Sequence, residues 1–275
     1  MHSTASDGER APADLVTAAA EAGVKVMALT DHDSVDGLSA TRTAADALGI
    51  RLVNGVEIST RWDAHDIHVV GLGIDPKAES LQAHLASQMA RRRARAEQIA
   101  RRLAKLGYPD LLAAACEGAP QGIPARPHFA RALMAAGICK QEKDAFAKFL
   151  AQGKPAYVKA DWPGIDEAVA WIKEAGGMAV LAHPHRYKMT RSRLDRLIRF
   201  FADAGGQALE VASSNQDPGS VRQLAGFCEQ YQLYASQGSD YHGPSMRWVQ
   251  LGRMPALPSQ CRPVWTLLGI EEPKS

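Results

Sequence analysis

The stretch VKVMALTDHD, residues 24–33, is a short apolar run that ends directly in two carboxylates and an imidazole. Short runs that are apolar on both faces are typical of strands buried in a parallel sheet. A helical pattern at residues 12–23 ends in glycine just before this run, and the next helical pattern ends at Gly49. Helices that end in glycine next to apolar strands predict an α/β fold built from repeated strand–helix units.

The same alternation continues over most of the chain. Further helical patterns occupy residues 165–177, 194–206 and 220–232. Further strands are predicted at residues 50–59, 66–74, 178–184, 207–213 and 233–240. Because strands that alternate with helices usually pair in parallel, the pattern predicts a parallel sheet or a barrel.

Residues 77–156 break this alternation, because they carry charged helical patterns and no recognisable strand. We expect them to form a helical insertion that caps the substrate, within a barrel domain formed by residues 1–76 and 157–275. Six arginines lie in the stretch ARRRARAEQIARR at residues 90–102. On one helix they would cover most of the polar face, either as a solvated surface or as a phosphate contact.

The composition is that of an ordinary soluble globular protein, with 46% hydrophobic and 23% charged residues. The net charge of +2 gives no general attraction for duplex DNA, so recognition of phosphate requires local clusters. No apolar run reaches the ~20 residues that cross a bilayer, and no signal-peptide pattern is visible. The four cysteines form no paired motif, which favours reduced thiols. We therefore expect a cytoplasmic protein without a membrane or duplex DNA partner.

Carboxylates and imidazoles follow the predicted strands, whose ends open on one face of a parallel barrel. The residues at these ends are Asp31, His32, Asp33, Glu57, His183, Asp240 and His242, and His68 lies within another strand. Each has a structural alternative, because an aspartate can cap a helix, a histidine can be satisfied in the core and a glutamate can form a salt bridge. Together they favour divalent metal sites, since burying so many uncompensated ionisable groups would be costly.

Six ordered motifs resemble those of the PHP (polymerase and histidinol phosphatase) family: HSTASDG (2–8), ALTDHDSVDG (28–37), NGVEIS (54–59), HVVGL (68–72), LAHP (181–184) and GSDYH (238–242). Three further motifs are similar to a subfamily of nucleoside 3′,5′-bisphosphate phosphatases and the 5′→3′ exoribonuclease called ribonuclease AM: RPHFARALMAAG (126–137), KFLAQGKPAYV (148–158) and ASQGSDYHGP (235–244). The resemblance implies a distorted (β/α)7 barrel that hydrolyses phosphate esters with up to three manganese ions. It also implies a small phosphorylated nucleotide or an RNA 5′ end as substrate.

The resemblance further implies three metal sites with shared ligands. The predicted ligand sets are His2, Glu57 and Asp240; Glu57, His68 and His183; and Asp7, His32 and His242. Glu57, His183 and Asp240 are the predicted catalytic residues. Mixed nitrogen and oxygen ligands suit Mn²⁺, with Zn²⁺ or Fe²⁺ as alternatives. His65 and His84 are not expected to be ligands.

A second phosphate of the substrate is predicted to contact five residues: Arg126, His128, Arg131, Lys154 and Arg186. Arg126 precedes a proline at the expected start of a helix, and helix N-termini and arginine forks bind phosphate well. His185 stands where related enzymes usually have glycine. Its bulkier side chain, next to a predicted ligand, is expected to alter the edge of the substrate site.

The family's first motif is an apolar strand that runs into Asp-Leu-His-x-His-Ser, and His2-Ser3 match its end, with Met1 at the x position. The first histidine of the pair and the first strand are therefore missing from this sequence, and we expect either that the true start lies about ten residues upstream or that the chain is truncated. In the form that begins at Met1, we expect the metal at His2 to be bound more weakly and phosphatase activity to be low.

Three other functions fit the sequence. A histidinol-phosphate-type phosphatase would not need a second phosphate site. An RNA-binding protein without catalysis would rely on the basic helix, and its binding would weaken steeply with salt. A barrel that binds metal but is catalytically impaired is the third, given the incomplete first motif. Metal-dependent hydrolysis of a bisphosphate separates these alternatives.

Overall fold

The computed structural model describes residues 1–270, apart from the side chain at position 120. Within this range six strands form one sheet: β1 Val26–Leu29, β2 Arg51–Trp62, β3 His65–Leu72, β4 Met178–Leu181, β5 Ala208–Ser213 and β6 Tyr234–Gly238. The helices in the same range are α1 Pro12–Glu21, α2 Leu38–Leu48, α3 Glu79–Lys105, α4 Leu112–Glu117, α5 Arg126–Ala135, α6 Glu142–Ala145, α7 Ile165–Glu174, α8 Arg191–Asp203 and α9 Pro218–Tyr231. The predicted α/β class is confirmed.

The strands follow the chain order across the sheet, which curls into a half-barrel. All neighbouring pairs are parallel except those that involve β3, which runs antiparallel to both β2 and β4. The parallel pairing that the alternation predicts therefore does not extend to β3. Only Asp63 and Ala64 separate β2 from β3, and Asp63 has a left-handed backbone with φ 51°. So short a connection makes a hairpin, because a parallel crossover needs a dozen or more residues.

The reversal of β3 decides how one predicted ligand reaches the other strands. His68 pairs with Ser59 in the hairpin, near the start of β3. Because β3 runs the opposite way, its first half lies beside the carboxyl ends of β2 and β4. The seventh strand that the family resemblance implies, before β1, stays a prediction.

The chain divides into two compact units, residues 1–82 with 163–275, and residues 83–162. We name them the sheet unit and the helical unit. The helical unit has its own core, in which Phe129, Leu103 and Leu133 are fully buried. The predicted insertion, residues 77–156, and its role as a substrate cap stay predictions. Residues 271–275 of the predicted barrel domain lie outside the described residues.

Helix ends follow the glycine pattern of the sequence. The helix α2 ends at Gly49, whose φ of 65° lets the chain turn back into β2. In the sheet unit, apolar side chains from α1, α2 and β1 share one core, with Leu15, Val16 and Leu29 almost fully buried. Across residues 1–270, no helix combines the length and the apolar character that a bilayer crossing requires.

Candidate metal centre

The N-terminal segment is fixed against two strand ends of the sheet unit. The backbone N–H of His2 donates to the carbonyl of Tyr241 at 2.8 Å, and the N–H of Thr30 donates to the carbonyl of Met1 at 3.0 Å. These bonds place His2 between the segments that follow β1 and β6. The side chain of His2 is 1% exposed, so it lies inside the protein although it is the second residue.

Asp31 holds this N-terminal segment and caps no helix. Its carboxylate accepts hydrogen bonds from the Ser3 N–H at 2.7 Å, the Ser3 hydroxyl at 2.8 Å and the Ser6 hydroxyl at 2.6 Å. The carboxylate of Asp33 accepts from the Ser59 N–H at 2.8 Å. Both carboxylates therefore form hydrogen bonds within the fold, whereas the side chain of His32 between them faces the site.

Glu57 lies at the centre of the cluster of predicted ligands. It sits within β2 and not at its end, because β2 continues to Trp62 in the hairpin. Its Oε2 is 2.8 Å from Nε2 of His2, and its Oε1 is 2.9 Å from Nδ1 of His68 and 3.0 Å from Nε2 of His183. One carboxylate thus contacts three imidazoles from three separate parts of the chain.

Two further carboxylates complete the cluster. Oδ1 of Asp240 lies 3.2 Å from Nε2 of His2, and its Oδ2 pairs with the guanidinium of Arg186. Oδ1 of Asp7 lies 3.4 Å from Nε2 of His242 and 3.9 Å from Nε2 of His32. Arg186, predicted to bind the substrate, therefore reaches one of the predicted ligands directly.

Seven of the eight predicted ligands, all but His183, form overlapping groups whose candidate ligand atoms lie within 4.8 Å of one another. The groups are His2, Asp7, His32 and His242; His32, Glu57 and His68; and His2, Glu57 and Asp240. The third is one predicted set, and the first is a predicted set extended by His2. In the second, His32 stands where His183 was expected, although His183 also contacts Glu57.

Burial and mutual contact set the charges in the cluster. Burial disfavours a charge on His2, but its hydrogen bonds with Asp240 and Glu57 outweigh this and raise its pKa to about 10. Burial lowers the pKa of His32 to about 3, against the attraction of Glu57. Burial also opposes the charge on Asp7, yet His32 and His242 hold its pKa well below the usual value. The cluster therefore contains carboxylates and at least one imidazole that is neutral at pH 7.

This arrangement fits divalent metal ions. Two ligand atoms that each lie about 2.1 Å from one ion are separated by roughly 3.0–4.2 Å. The distances from the carboxylate oxygens of Glu57, Asp7 and Asp240 to the neighbouring imidazole nitrogens fall in or near that range. His32 Nδ1 is buried without a hydrogen-bond partner among residues 1–270, 3.8 Å from Glu57. A buried nitrogen that lacks a hydrogen-bond partner and lies beside a carboxylate is typical of two ligands of one metal ion.

Four of the predicted phosphate contacts lie in the helical unit. Arg126 begins α5, and Lys154 is exposed. His128 is buried, and its Nδ1 accepts from the backbone N–H of Ala125 at 3.0 Å, so this nitrogen caps α5. Arg131 forms an ion pair with Glu142 at 3.5 Å. Binding of phosphate by these residues stays a prediction.

Three histidines that are not predicted ligands, His65, His84 and His185, lie outside the three groups. His65 begins β3 opposite Trp62, and His84 lies in α3. His185 follows β4 in a short 3-10 turn, with Nε2 3.3 Å from the hydroxyl of Ser213. Burial, with Arg186 and His183 nearby, lowers the pKa of His185 to about 4, so this side chain is neutral at pH 7.

Sequence reasoning missed two residues that contact the ligands. The hydroxyl of Tyr187 accepts from the backbone N–H of His68 at 3.0 Å, and its ring packs edge-on against His183. Glu210 in β5 accepts from the backbone N–H of His183 at 2.9 Å, and burial raises its pKa to about 7. Glu210 was detectable, because it is a lone carboxylate in the apolar run ALEVAS. No pattern in the sequence marks Tyr187.

Three positions at the cluster have a left-handed backbone without being glycine. They are Asp33 with φ 50°, His183 with φ 31° and Asp240 with φ 48°. Such residues are uncommon because the side chain crowds the neighbouring carbonyl. Their occurrence at three strand ends of one site is typical of strain retained for function.

Comparison with known proteins shows the family to which this chain belongs. The PHP domain family matches residues 1–214. A 3′,5′-nucleoside bisphosphate phosphatase of Chromobacterium violaceum is 42% identical over 268 residues, which cover 96% of this chain and 93% of the relative. The 5′-3′ exoribonuclease Rnm of Escherichia coli is 43% identical over 268 residues, covering 97% and 91%.

A solved structure supports the same relationship for the fold. A protein of Chromobacterium violaceum described as an amidohydrolase, with bound sulfate and no metal, superposes with a TM-score of 0.90. It is 42% identical, and the match covers 98% of this chain and 94% of that one. With the family match and relatives above 40% identity over nearly their whole length, the chain belongs to the PHP domain family.

Proposed function

We propose that this protein is a metal-dependent phosphoesterase that removes the 3′-phosphate of nucleoside 3′,5′-bisphosphates and degrades short RNA from the 5′ end. The observation that carries the proposal is the contact of one buried carboxylate, Glu57, with His2, His68 and His183. The names of the two curated relatives, a bisphosphate phosphatase and an exoribonuclease, support the substrate class.

The contacts among the clustered residues support a role for each of them in binding metal. Glu57, Asp240 and His183 would hold metal ions at the reacting phosphate, together with His2, Asp7, His32, His68 and His242. When bound, such ions supply a nucleophile from water at neutral pH and counter the charge of the phosphoryl oxygens. No serine of the N-terminal motif is needed as a nucleophile, since Ser3 and Ser6 are engaged by Asp31.

We further propose Mn²⁺ as the metal, with Zn²⁺ or Fe²⁺ as competitors, because the ligands are imidazoles and carboxylates without thiolates. Arg126, His128, Arg131, Lys154 and Arg186 are proposed to bind the second phosphate of the substrate. The cytoplasm is the proposed location, and the four free cysteines are compatible with its reducing conditions.

The test compares four substrates after treatment with a chelator and readdition of metal: adenosine 3′,5′-bisphosphate (pAp), a 5′-phosphorylated RNA oligomer, AMP and histidinol phosphate. We expect pAp and RNA to be hydrolysed only after Mn²⁺ is restored, and faster than the monophosphates. Preferential hydrolysis of histidinol phosphate would favour the alternative phosphatase. RNA binding that persists in chelator without hydrolysis would favour a binding protein.

A further inference from the structure

Glu210 is a buried carboxylate with no obvious compensation. It lies in β5, where every residue is buried, and it is 8% exposed. Among residues 1–270 its Oε1 accepts no hydrogen bond. It lines a cavity of about 630 Å³ within the sheet unit. A carboxylate in such a place is costly, so its presence requires an explanation.

The explanation lies in the way the chain leaves β4. The last bond of the β3–β4 ladder is donated by Ala182 to the carbonyl of His68 at 3.1 Å. The next residue, His183, turns into the left-handed region with φ 31° and ψ 51°. Its backbone N–H leaves the ladder at this turn, and a buried N–H needs an acceptor.

Oε2 of Glu210 is that acceptor, at 2.9 Å. The register explains the match, because Leu181 of β4 pairs with Leu209 of β5 and Glu210 is the next residue along the strand. In this conformation, Nε2 of His183 lies 3.0 Å from Oε1 of Glu57 and 3.3 Å from Nδ1 of His68. The direction of the imidazole thus depends on a strained backbone held by one side chain.

We propose that Glu210 is a positioning residue, which holds the left-handed backbone of His183 so that its imidazole can bind metal beside Glu57 and His68. The inference rests on the proposed metal-dependent function. Glu210 is not proposed as a ligand itself, because its Oε2 is engaged by the backbone N–H of His183.

The experiment measures Mn²⁺ binding by calorimetry and the melting temperature of the metal-free protein. Glu210→Leu removes the acceptor at similar size, and Glu210→Gln keeps an oxygen that can accept the N–H. Glu229→Leu, at an exposed position of α9, is the matched control. His183→Ala and the double variant with Glu210→Leu test whether the effect passes through His183.

We expect Glu210→Leu to weaken Mn²⁺ binding about 10–100-fold at one site, as changes next to metal ligands do. Glu210→Gln should restore most of the affinity, and the control should bind normally. The metal-free melting temperature of Glu210→Leu should change little, because removal of a buried carboxylate offsets the loss of the acceptor for the His183 N–H. The double variant should bind no more weakly than His183→Ala.

Normal Mn²⁺ binding by Glu210→Leu would overturn the proposal. So would an equal loss of melting temperature in Glu210→Leu and Glu210→Gln, which would indicate a role in folding alone. Both results are independent of the substrate, because they are obtained by metal titration. Failure of the unmodified protein to hydrolyse pAp with Mn²⁺ would instead contradict the proposed function.

Discussion

Nε2 of His2 lies 2.8 Å from Oε2 of Glu57, and the two side chains are only 1% and 2% exposed. The second residue of the chain is thereby joined to the middle of β2. Because Glu57 also contacts His68 and His183 through its other oxygen, it connects the N-terminal segment with two further strands. The cluster depends on this carboxylate more than on any single imidazole.

The first prediction concerns this shared carboxylate. Glu57→Gln should abolish more than one metal site, because a neutral amide is a poor ligand and the same side chain serves several imidazoles. We expect Mn²⁺ affinity and pAp turnover to fall by at least about 100-fold, the upper end of the effect seen for outer contacts of metal ligands. Metal content by mass spectrometry checks this, with Glu229→Gln as control. Full metal content in Glu57→Gln would contradict the central role of this residue.

The second prediction concerns protons in the metal-free protein. The pKa of His2 is raised to about 10 by Asp240 and Glu57 despite its burial, so His2 is charged at pH 7 and must lose its proton to bind metal. Mn²⁺ binding should release about one proton at this site and strengthen roughly tenfold per pH unit from pH 7 to 9. Calorimetry in buffers of different ionisation enthalpy measures the release.

The same raised pKa gives the sign of the effect on stability. The bond of charged His2 with its carboxylates stabilises the metal-free fold fully below pH ~6.5, and this contribution is lost as the pH rises toward 10. The melting temperature of the metal-free protein should therefore fall over that range, whereas bound metal should counter the fall. A metal-free melting temperature that rises between pH 7 and 10 would contradict this assignment.

The third prediction concerns the second phosphate. Arg126→Ala should lower kcat/KM for pAp by about one to two orders of magnitude, because a charge-assisted hydrogen bond contributes about 1.5–3 kcal/mol. AMP should be affected less. Arg196→Ala, at an exposed position of α8, is the control. Equal losses on both substrates would exclude a second phosphate site at Arg126.

The fourth prediction concerns Asp31, which belongs to none of the three groups of candidate ligands. Asp31→Ala removes three hydrogen bonds to Ser3 and Ser6 and should destabilise the fold by about 2–4 kcal/mol. Since these bonds hold the segment that carries His2 and Asp7, Mn²⁺ binding should weaken as well. Asp14→Ala, at an exposed position of α1, should change neither. Normal metal binding by Asp31→Ala would show that the segment is fixed by its other contacts.

The α/β class and the clustering of eight ionisable residues could be predicted from the sequence, because strand periodicity and strand ends are local features. The antiparallel direction of β3, which depends on a two-residue turn at Asp63 and Ala64, was not predicted. The sequence also assigned no role to Tyr187, whose hydroxyl reaches His68 across the sheet unit. Contacts of this kind depend on strand register and on where the chain leaves a strand, and neither is set by neighbouring residues.

The left-handed backbones at Asp33, His183 and Asp240 have a consequence for the evolution of this protein. Each is a small store of conformational energy that an asparagine or a glycine at the same position would release. Selection for heat resistance alone would therefore favour replacing them, and with His183 and Asp240 two proposed metal ligands would disappear. Catalysis and thermal stability thus place opposing demands on individual positions of this chain.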